Sequence, residues 1–461
     1  MLSKIPSSKY VHFVSLGCAR NLVDTEVMLG LVLHAGYQIT DRMDTADYLV
    51  VNTCGFLEAS RQESCDTIAS FIASKKPTAK VIVTGCMVSK YGEKIKELFP
   101  EVHYLLGPGD TDKILTAIGS GEQGEALGSA KSYLEWGEVP RQLSTPPHYA
   151  YLKIAEGCAK RCAFCIIPLL KGKLRSKTQE QILKEFHALL EKGVYEIILI
   201  AQDLGDYGFD RGEQHALETL IKEILNIKKP FWLRLLYLYP DEITEGLIDL
   251  MSQDKRLCAY LDMPIQHINS TMLKAMRRKT SKEHIIHTLT QLRAKIPHIT
   301  IRTSLMVGFP GETEEMFEEL LSFVTTYPLD HVGVFKFSKE EGAHAATLPN
   351  HIPEDIKDKR FHRLTSLLEE LAPKRSGRWV GKTLEVVVEG YHPETPLLMR
   401  GRFYGQCPEI DGMVIINDGR KVKAFGKRYL VNITDVAGYD LIGTVLSLAP
   451  DAKTPQPLKC L

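Results

Sequence analysis

The stretch Tyr149-Ala150-Tyr151-Leu152-Lys153-Ile154-Ala155-Glu156-Gly157-Cys158-Ala159-Lys160-Arg161-Cys162-Ala163-Phe164-Cys165 runs a strand-like segment, Tyr149 to Ala155, into a loop bearing three cysteines spaced C-x3-C-x2-C. Downstream the same texture recurs. Tyr195 to Ala201, Trp232 to Leu236, Ala259 to Pro264, Thr300 to Gly308 and Val332 to Phe337 read as strands, with helical stretches between most of them. Strands separated by helices pair in parallel. Six such units fall short of the eight that close a full barrel, so the spacing predicts an open partial (βα)6 barrel over residues 146–377, with functional residues at the strand ends.

Upstream, Tyr10 to Leu16, Asp47 to Val51 and Val81 to Thr84 read as strands, and Asn21 can cap a helix carrying Leu22, Val27, Met28, Leu31 and Val32. The alternation predicts an α/β domain over residues 1–145, a doubly wound parallel sheet whose ligand sites lie beyond the carboxyl ends of its strands. The Gly-rich run from Ile118 to Ala130 reads as a flexible loop, and Ser144-Thr145-Pro146-Pro147 as a linker. After about residue 378 short β-like runs replace helices, at Leu384 to Val388, Gly412 to Ile416 and Tyr429 to Ile433. These predict a small C-terminal β-barrel over 378–450. Its charged residues balance: Lys382, Arg400, Arg402, Arg420, Lys421, Lys423, Lys427 and Arg428 against Glu385, Glu389, Glu394, Glu409, Asp411, Asp418, Asp435 and Asp440.

Over the whole chain 57 basic residues also meet 57 acidic ones. Binding of nucleic acid through a global basic excess is thereby disfavoured, though a local patch is not. No stretch is long and apolar enough to span a membrane, and the N-terminus lacks a secretory signal, so the expected location is cytoplasmic. Ten cysteines in 461 residues are too few for a disulfide scaffold; in a reducing compartment, meaningful spacings point to metal or redox chemistry.

Cys158, Cys162 and Cys165 form the sharpest such spacing. Structural zinc wants four ligands, and no fourth lies nearby. Three thiolates on one loop suit a cubane iron-sulfur cluster, leaving one iron without a protein ligand and open to a cofactor or substrate. Cys18, Cys54 and Cys86 each follow a predicted strand of the first domain, so they can converge on a shared metal site; three unrelated buried cysteines are the alternative.

The Cys158 triplet at the first strand-to-loop junction of a six-unit barrel resembles the radical S-adenosylmethionine (SAM) superfamily. Within it, the second cysteine trio and the terminal β domain, called TRAM, resemble the methylthiotransferases. Gly17-Cys18-Ala19-Arg20-Asn21-Leu22-Val23-Asp24-Thr25-Glu26, Val51-Asn52-Thr53-Cys54-Gly55-Phe56, Ala201-Gln202-Asp203 and Pro408-Glu409-Ile410-Asp411-Gly412 are similar to the ribosomal-protein branch, the RimO-like family. Ala19-Arg20 departs from that branch's usual Pro-Lys.

The resemblance implies two 4Fe-4S clusters, an auxiliary one on Cys18, Cys54 and Cys86 and a SAM-binding one on Cys158, Cys162 and Cys165. It also implies addition of a methylthio group to the β-carbon of an aspartate in ribosomal protein uS12, free or within the small ribosomal subunit. One SAM molecule would methylate a sulfur at the auxiliary cluster and another would generate a radical. A reducing electron donor is required. The alternative reading is the sister activity on an adenosine of tRNA, which the balanced charge of the β domain disfavours. A non-catalytic iron-sulfur scaffold is a third reading, and SAM cleavage by the reduced protein separates it from both enzymes.

Candidate SAM contacts are Gln202 and Gly308, the latter in Val307-Gly308-Phe309-Pro310-Gly311-Glu312-Thr313; a structural hydrogen bond and an ordinary tight turn are the competing readings. Asp203 reads like Gln202. His267 is either a packed loop histidine or a substrate contact. Arg277-Arg278-Lys279 reads as a solvated helix end, with contact to ribosomal RNA as the alternative. Cys65, Cys258, Cys407 and Cys460 read as ordinary buried or surface thiols.

Overall fold

A computed structural model describes residues 9–128, 134 and 139–450; Ser129, Ala130 and Cys460 lie outside the described residues. The first sheet comprises β1 (Tyr10–Ser15), β2 (Gln38–Ile39), β3 (Tyr48–Thr53), β4 (Lys80–Gly85), β5 (Val102–Leu106) and β6 (Gly124–Ala126), in the order β2-β1-β3-β4-β5-β6 and parallel throughout. Helices α1 (Ala19–His34), α2 (Glu58–Ser74), α3 (Cys86–Leu98) and α4 (Ile114–Gly119) connect its strands. β3 is buried along its whole length. Leu49 and Val51 face one apolar cluster while Tyr48 and Val50 face another, as a sheet covered on both sides requires. β2, β5 and β6 were not anticipated from the sequence. β6 falls within the Gly-rich run, whose backbone pairs with β5 in place of forming a free loop.

The second sheet has the order β14-β13-β12-β11-β10-β7, again parallel. Its strands are β7 (Tyr149–Lys153), β10 (Glu196–Ile200), β11 (Trp232–Leu235), β12 (Leu257–Asp262), β13 (Thr300–Val307) and β14 (His331–Lys336). The expected strand from Tyr149 to Ala155 divides at Ile154, after which β8 (Ala155–Glu156) pairs antiparallel with β9 (Arg175–Ser176). The intervening helices are α5 (Ile167–Lys171), α6 (Gln179–Glu191), α7 (Ala216–Leu225), α8 (Glu245–Gln253), α9 (Ser270–Ala275), α10 (Lys282–Lys295) and α11 (Glu314–Thr326), with α12 (Glu354–Ser376) after β14. The edge strands β7 and β14 do not pair, so this is an open partial barrel of six strands.

The third unit is a closed barrel, β15 (Thr383–His392), β16 (Thr395–Phe403), β17 (Val414–Asp418), β19 (Asp440–Leu448) and β18 (Lys427–Ala437), in that spatial order. It plugs the open barrel from one side. Val387 and Cys407 join Val23 and Val27 of α1 in a single apolar cluster with Tyr149, Tyr151, Ile198, Trp232 and Tyr260 of the second sheet. Charged residues reinforce the contact: Arg402 reaches Glu196 at 2.9 Å, Glu389 meets His148 at 3.0 Å, and Asp411 pairs with Arg302 at 2.7 Å.

The balanced charge of this domain therefore describes the wrong surface. Arg402, Arg428, Glu385, Glu389, Glu409 and Asp411 are engaged in or beside this interface. Lys382, Arg400, Arg420, Lys421 and Lys423 are exposed, against Glu394 and Asp435. Charge balance thus supplies no argument against an RNA partner.

The linker is packed as well. Glu26 of α1, fully buried, accepts from Arg141 at 2.6 Å and from the Ser144 amide at 2.7 Å, and Arg141 also pairs with Glu185 of α6. The first two domains are stapled together there. Among the described residues no helix is long and apolar enough to cross a membrane.

Candidate functional site

Cys158, Cys162 and Cys165 lie in the loop that leaves β8 at the carboxyl end of β7. The loop supplies its own donors: the amides of Lys160 and Ile167 reach the sulfurs of Cys158 and Cys165 at 3.3 and 3.4 Å. Cys162 Sγ lies 3.4 Å from the Tyr239 hydroxyl and 3.8 Å from Nη1 of Arg278, whose guanidinium stacks on the Tyr239 ring at 3.8 Å. Burial pushes Cys158 up to about 12 and Cys165 up to about 11, against the pull of those amides.

The second trio is assembled from three loops. Cys18 precedes α1, Cys54 follows β3, and Cys86 opens α3 directly after β4. A Cβ on Gly17 would sit 2.9 Å from Cys54 Cβ, and one on Gly55 would sit 2.8 Å from the Met87 backbone, so glycine at both positions permits the loops to close on one another. Asn21 is not the helix cap expected of it; Cys18 holds that position. Asn21 Nδ2 instead donates to the carbonyls of Leu16 and Thr53, each at 3.1 Å, and its Oδ1 accepts from Cys86 Sγ at 3.5 Å. One buried amide thus ties all three loops. Burial raises the Cys18 thiol, but the charge and hydrogen bond of Arg20 outweigh it and bring it down to about 7; burial pushes Cys86 up to about 12 despite the Lys171 ammonium.

Both trios suit a polynuclear cluster better than a single ion. A tetrahedral zinc with Zn–S near 2.3 Å would hold its sulfurs about 3.8 Å apart. Among the described residues, however, the one group of ligand atoms mutually within 4.8 Å is Asp203, Asp206 and Glu242. That group already contains a cation, because Lys160 Nζ lies 3.1 Å from Asp206 and contacts Glu242. All nine described cysteines are free thiols, so neither trio is consumed by a disulfide.

The two trios face one interface. Cys86 shares an apolar cluster with Ile166 and Leu170, the residues just past Cys165. Beneath it Lys171 bonds Glu156 at 2.7 Å and Asp24 at 3.2 Å, and Lys153 contacts Asp24 as well. These four groups, all buried, neutralise one another across the domain boundary. Burial works against the Lys171 charge, and Cys86, Glu156 and Asp24 outweigh it.

Among the weaker candidates, Gln202 follows β10, and its buried Oε1 has no hydrogen-bond partner. Gly308 follows β13 with a left-handed φ of 76°; its N–H donates to Glu312 at 2.7 Å, and a Cβ would meet the Lys357 side chain at 2.4 Å. The turn and the packing by themselves call for glycine. Burial and the neighbouring Glu242 raise Asp203 well above the carboxylate range. His267 is fully buried between Glu312 and the Asn269 amide, as a packed histidine. Arg277 and Lys279 are exposed, as a solvated helix end requires, but Arg278 departs from that reading: it is buried against Tyr239 and Cys162, because the residues just past α9 pack on the Cys158 loop. Tyr239, Arg278, Lys171 and Arg20 were missed as site residues. Their only sequence signal was a charged or aromatic residue beside a strand end or cysteine.

Three family models match: the uncharacterized protein family UPF0004 over residues 10–107, the radical SAM superfamily over 152–324 and the TRAM domain over 380–446. The radical S-adenosylmethionine methyltransferase TsrM from Kitasatospora setae shares the fold, with a TM-score of 0.53, 15% identity and coverage of 71% of this chain and 72% of that one. The chain is 61% identical to "Ribosomal protein uS12 methylthiotransferase RimO" of Protochlamydia amoebophila (strain UWE25), covering 95% of this chain and 92% of the relative. Relatives of the same name from Chlamydia abortus (strain DSM 27085 / S26/3) and Bdellovibrio bacteriovorus (strain ATCC 15356 / DSM 50701 / NCIMB 9529 / HD100) are 55% and 41% identical, covering 96% and 97% of this chain and 97% and 99% of theirs. At these identities over nearly its whole length, the chain belongs to the RimO family of ribosomal protein uS12 methylthiotransferases, within the radical SAM superfamily.

Proposed function

We propose that this chain adds a methylthio group to the β-carbon of an aspartate of ribosomal protein uS12, in the cytoplasm, using electrons from a separate reducing donor. The observation that carries this reading is the meeting of two cysteine trios at one domain boundary in a chain of this family. Cys158, Cys162 and Cys165 would hold the SAM-binding 4Fe-4S cluster, and Cys18, Cys54 and Cys86 the auxiliary one. Bound there, clusters and SAM supply radical hydrogen abstraction and a methylated sulfur to be transferred.

The chain's own residues do the rest. Tyr239 and Arg278 orient Cys162, while the Lys160 and Ile167 amides offer donors to the thiolates. The Asp24, Lys153, Glu156 and Lys171 network fixes the separation of the trios. Holding two reacting groups within contact is worth several kcal/mol of barrier. Gln202 binds SAM through its unpartnered buried oxygen, and Gly308 turns the chain at the end of β13 where the nucleoside would lie. We place the domain boundaries at 145 and 377, which fits the packed linker and the end of α12 at Ser376.

Anaerobic incubation of the reconstituted protein with SAM, a reductant and either a uS12 peptide or tRNA, followed by mass spectrometry, tests the substrate. Methylthiolation of the peptide is expected. Modification of tRNA alone would overturn the choice.

A further inference from the structure

We infer that Arg20 is a positioning residue for the Cys18 trio, its single guanidinium tying the Cys18 loop to the end of the second barrel strand and giving positive charge to that metal site. This rests on the two-cluster reading above and extends it to a side chain beside Cys18.

Its position is costly to the helix that carries it. Arg20 lies in the first turn of α1, which holds no acidic residue, so its charge opposes the helix dipole. A residue placed against its own helix answers to something else. Its Nε lies 3.4 Å from Cys18 Sγ, and its Nη1 donates at 2.8 Å to the carbonyl of Ala201, immediately past β10 and next to Gln202. The guanidinium also stacks at 4.7 Å on the ring of Tyr237, past the end of β11.

Tyr237 is itself unusual. It holds a left-handed φ of 64°, a conformation that non-glycine residues rarely adopt. Two bonds maintain it: its N–H donates to Asp262 at 3.2 Å, and its carbonyl accepts from Leu204 at 3.0 Å. Strained backbone thus presents a ring to a cation from another domain.

A fixed cation in a partly dry site favours whichever state carries more negative charge, here the reduced form of a thiolate-ligated cluster. Lysine keeps the charge and loses the fork that touches sulfur and carbonyl together.

The test uses the full chain, reconstituted anaerobically with iron and sulfide. Each cluster is titrated with reductant and read by electron paramagnetic resonance, in backgrounds where the other trio is replaced by alanine. Arg20→Gln should retain about eight irons. It should weaken reduction at the Cys18 trio about tenfold, a shift of 59 mV to more negative potential for one electron, and leave the Cys158 trio, which Arg20 does not touch, unchanged. Arg20→Lys should recover most of the potential at the Cys18 trio. An unchanged potential at the Cys18 cluster in Arg20→Gln, or an equal shift at both clusters, overturns the inference and leaves the two-cluster reading standing. If Arg20→Gln takes up only about four irons, recovery of eight by Arg20→Lys supports the role of the charge, and failure to recover overturns it. Uptake of only four by the unaltered chain overturns both readings.

Discussion

The two cysteine trios reach the same number of sulfurs by opposite routes. One occupies Cys158 to Cys165, on one loop whose backbone amides face its own sulfurs. The other is drawn from three loops separated by whole βα units, and it exists only once β1, β3 and β4 lie side by side. A compact trio survives as long as one loop does. A dispersed trio reports on the integrity of an entire sheet and of the boundary behind it.

The sharpest way to break this comparison is to delete one thiolate from each. Cys158→Ala should reduce SAM cleavage to background, measured as 5′-deoxyadenosine. Cys18→Ala should leave cleavage within a few-fold of normal and eliminate methylthiolated product. Identical behaviour of the two variants would erase the division of labour.

A second test loosens the boundary without touching a cysteine. Glu26→Gln leaves the buried Arg141 and Ser144 groups facing a neutral amide and should cost about 3 kcal/mol in denaturant unfolding. Iron at the dispersed trio should be lost at lower denaturant than iron at the compact one, because α1, which Cys18 caps, is what Glu26 anchors.

A third perturbation lies far from both trios. Burial opposes ionisation of Glu389, but the His148 hydrogen bond and the Arg402 charge outweigh it and hold the carboxyl down at about 2, from an ordinary 4.5. Its contribution is present above the ordinary value and is lost as pH falls from about 4.5 toward 2, on the order of 1 to 3 kcal/mol. Glu389→Gln should flatten that part of the stability profile and leave iron content at neutral pH unchanged. The smallest effect is expected at the exposed Lys359–Asp355 pair, where Lys359→Ala should change stability by less than about 0.5 kcal/mol and alter neither trio.

How much of this was legible in the sequence follows from the same contrast. The C-x3-C-x2-C spacing and the six core strands of the partial barrel are local patterns, long and apolar enough to read directly. The dispersed trio was legible only as a shared station past three strands. Its binding element, the Asn21 side chain, looked like a helix cap, because asparagine at a helix start is usually that. β2, β5 and β6 were missed because edge strands are short and bury less apolar surface, and β6 is masked by glycine. Arg278 read as solvated because nothing local shows that α9 folds its end onto Tyr239. The charge balance of the terminal domain pointed to the substrate class that the relatives carry, but on a weak ground, because composition does not say which charges face the neighbouring barrel.

The most direct measurement of the central claim is iron and sulfide analysis with Mössbauer spectroscopy on the anaerobically reconstituted chain, beside variants in which either trio is replaced by alanine. Two independent cubane sites predict about eight irons in the unaltered protein and about four in each variant. About four irons in the unaltered chain, lost altogether when either trio is removed, would mean one shared site and would contradict the account.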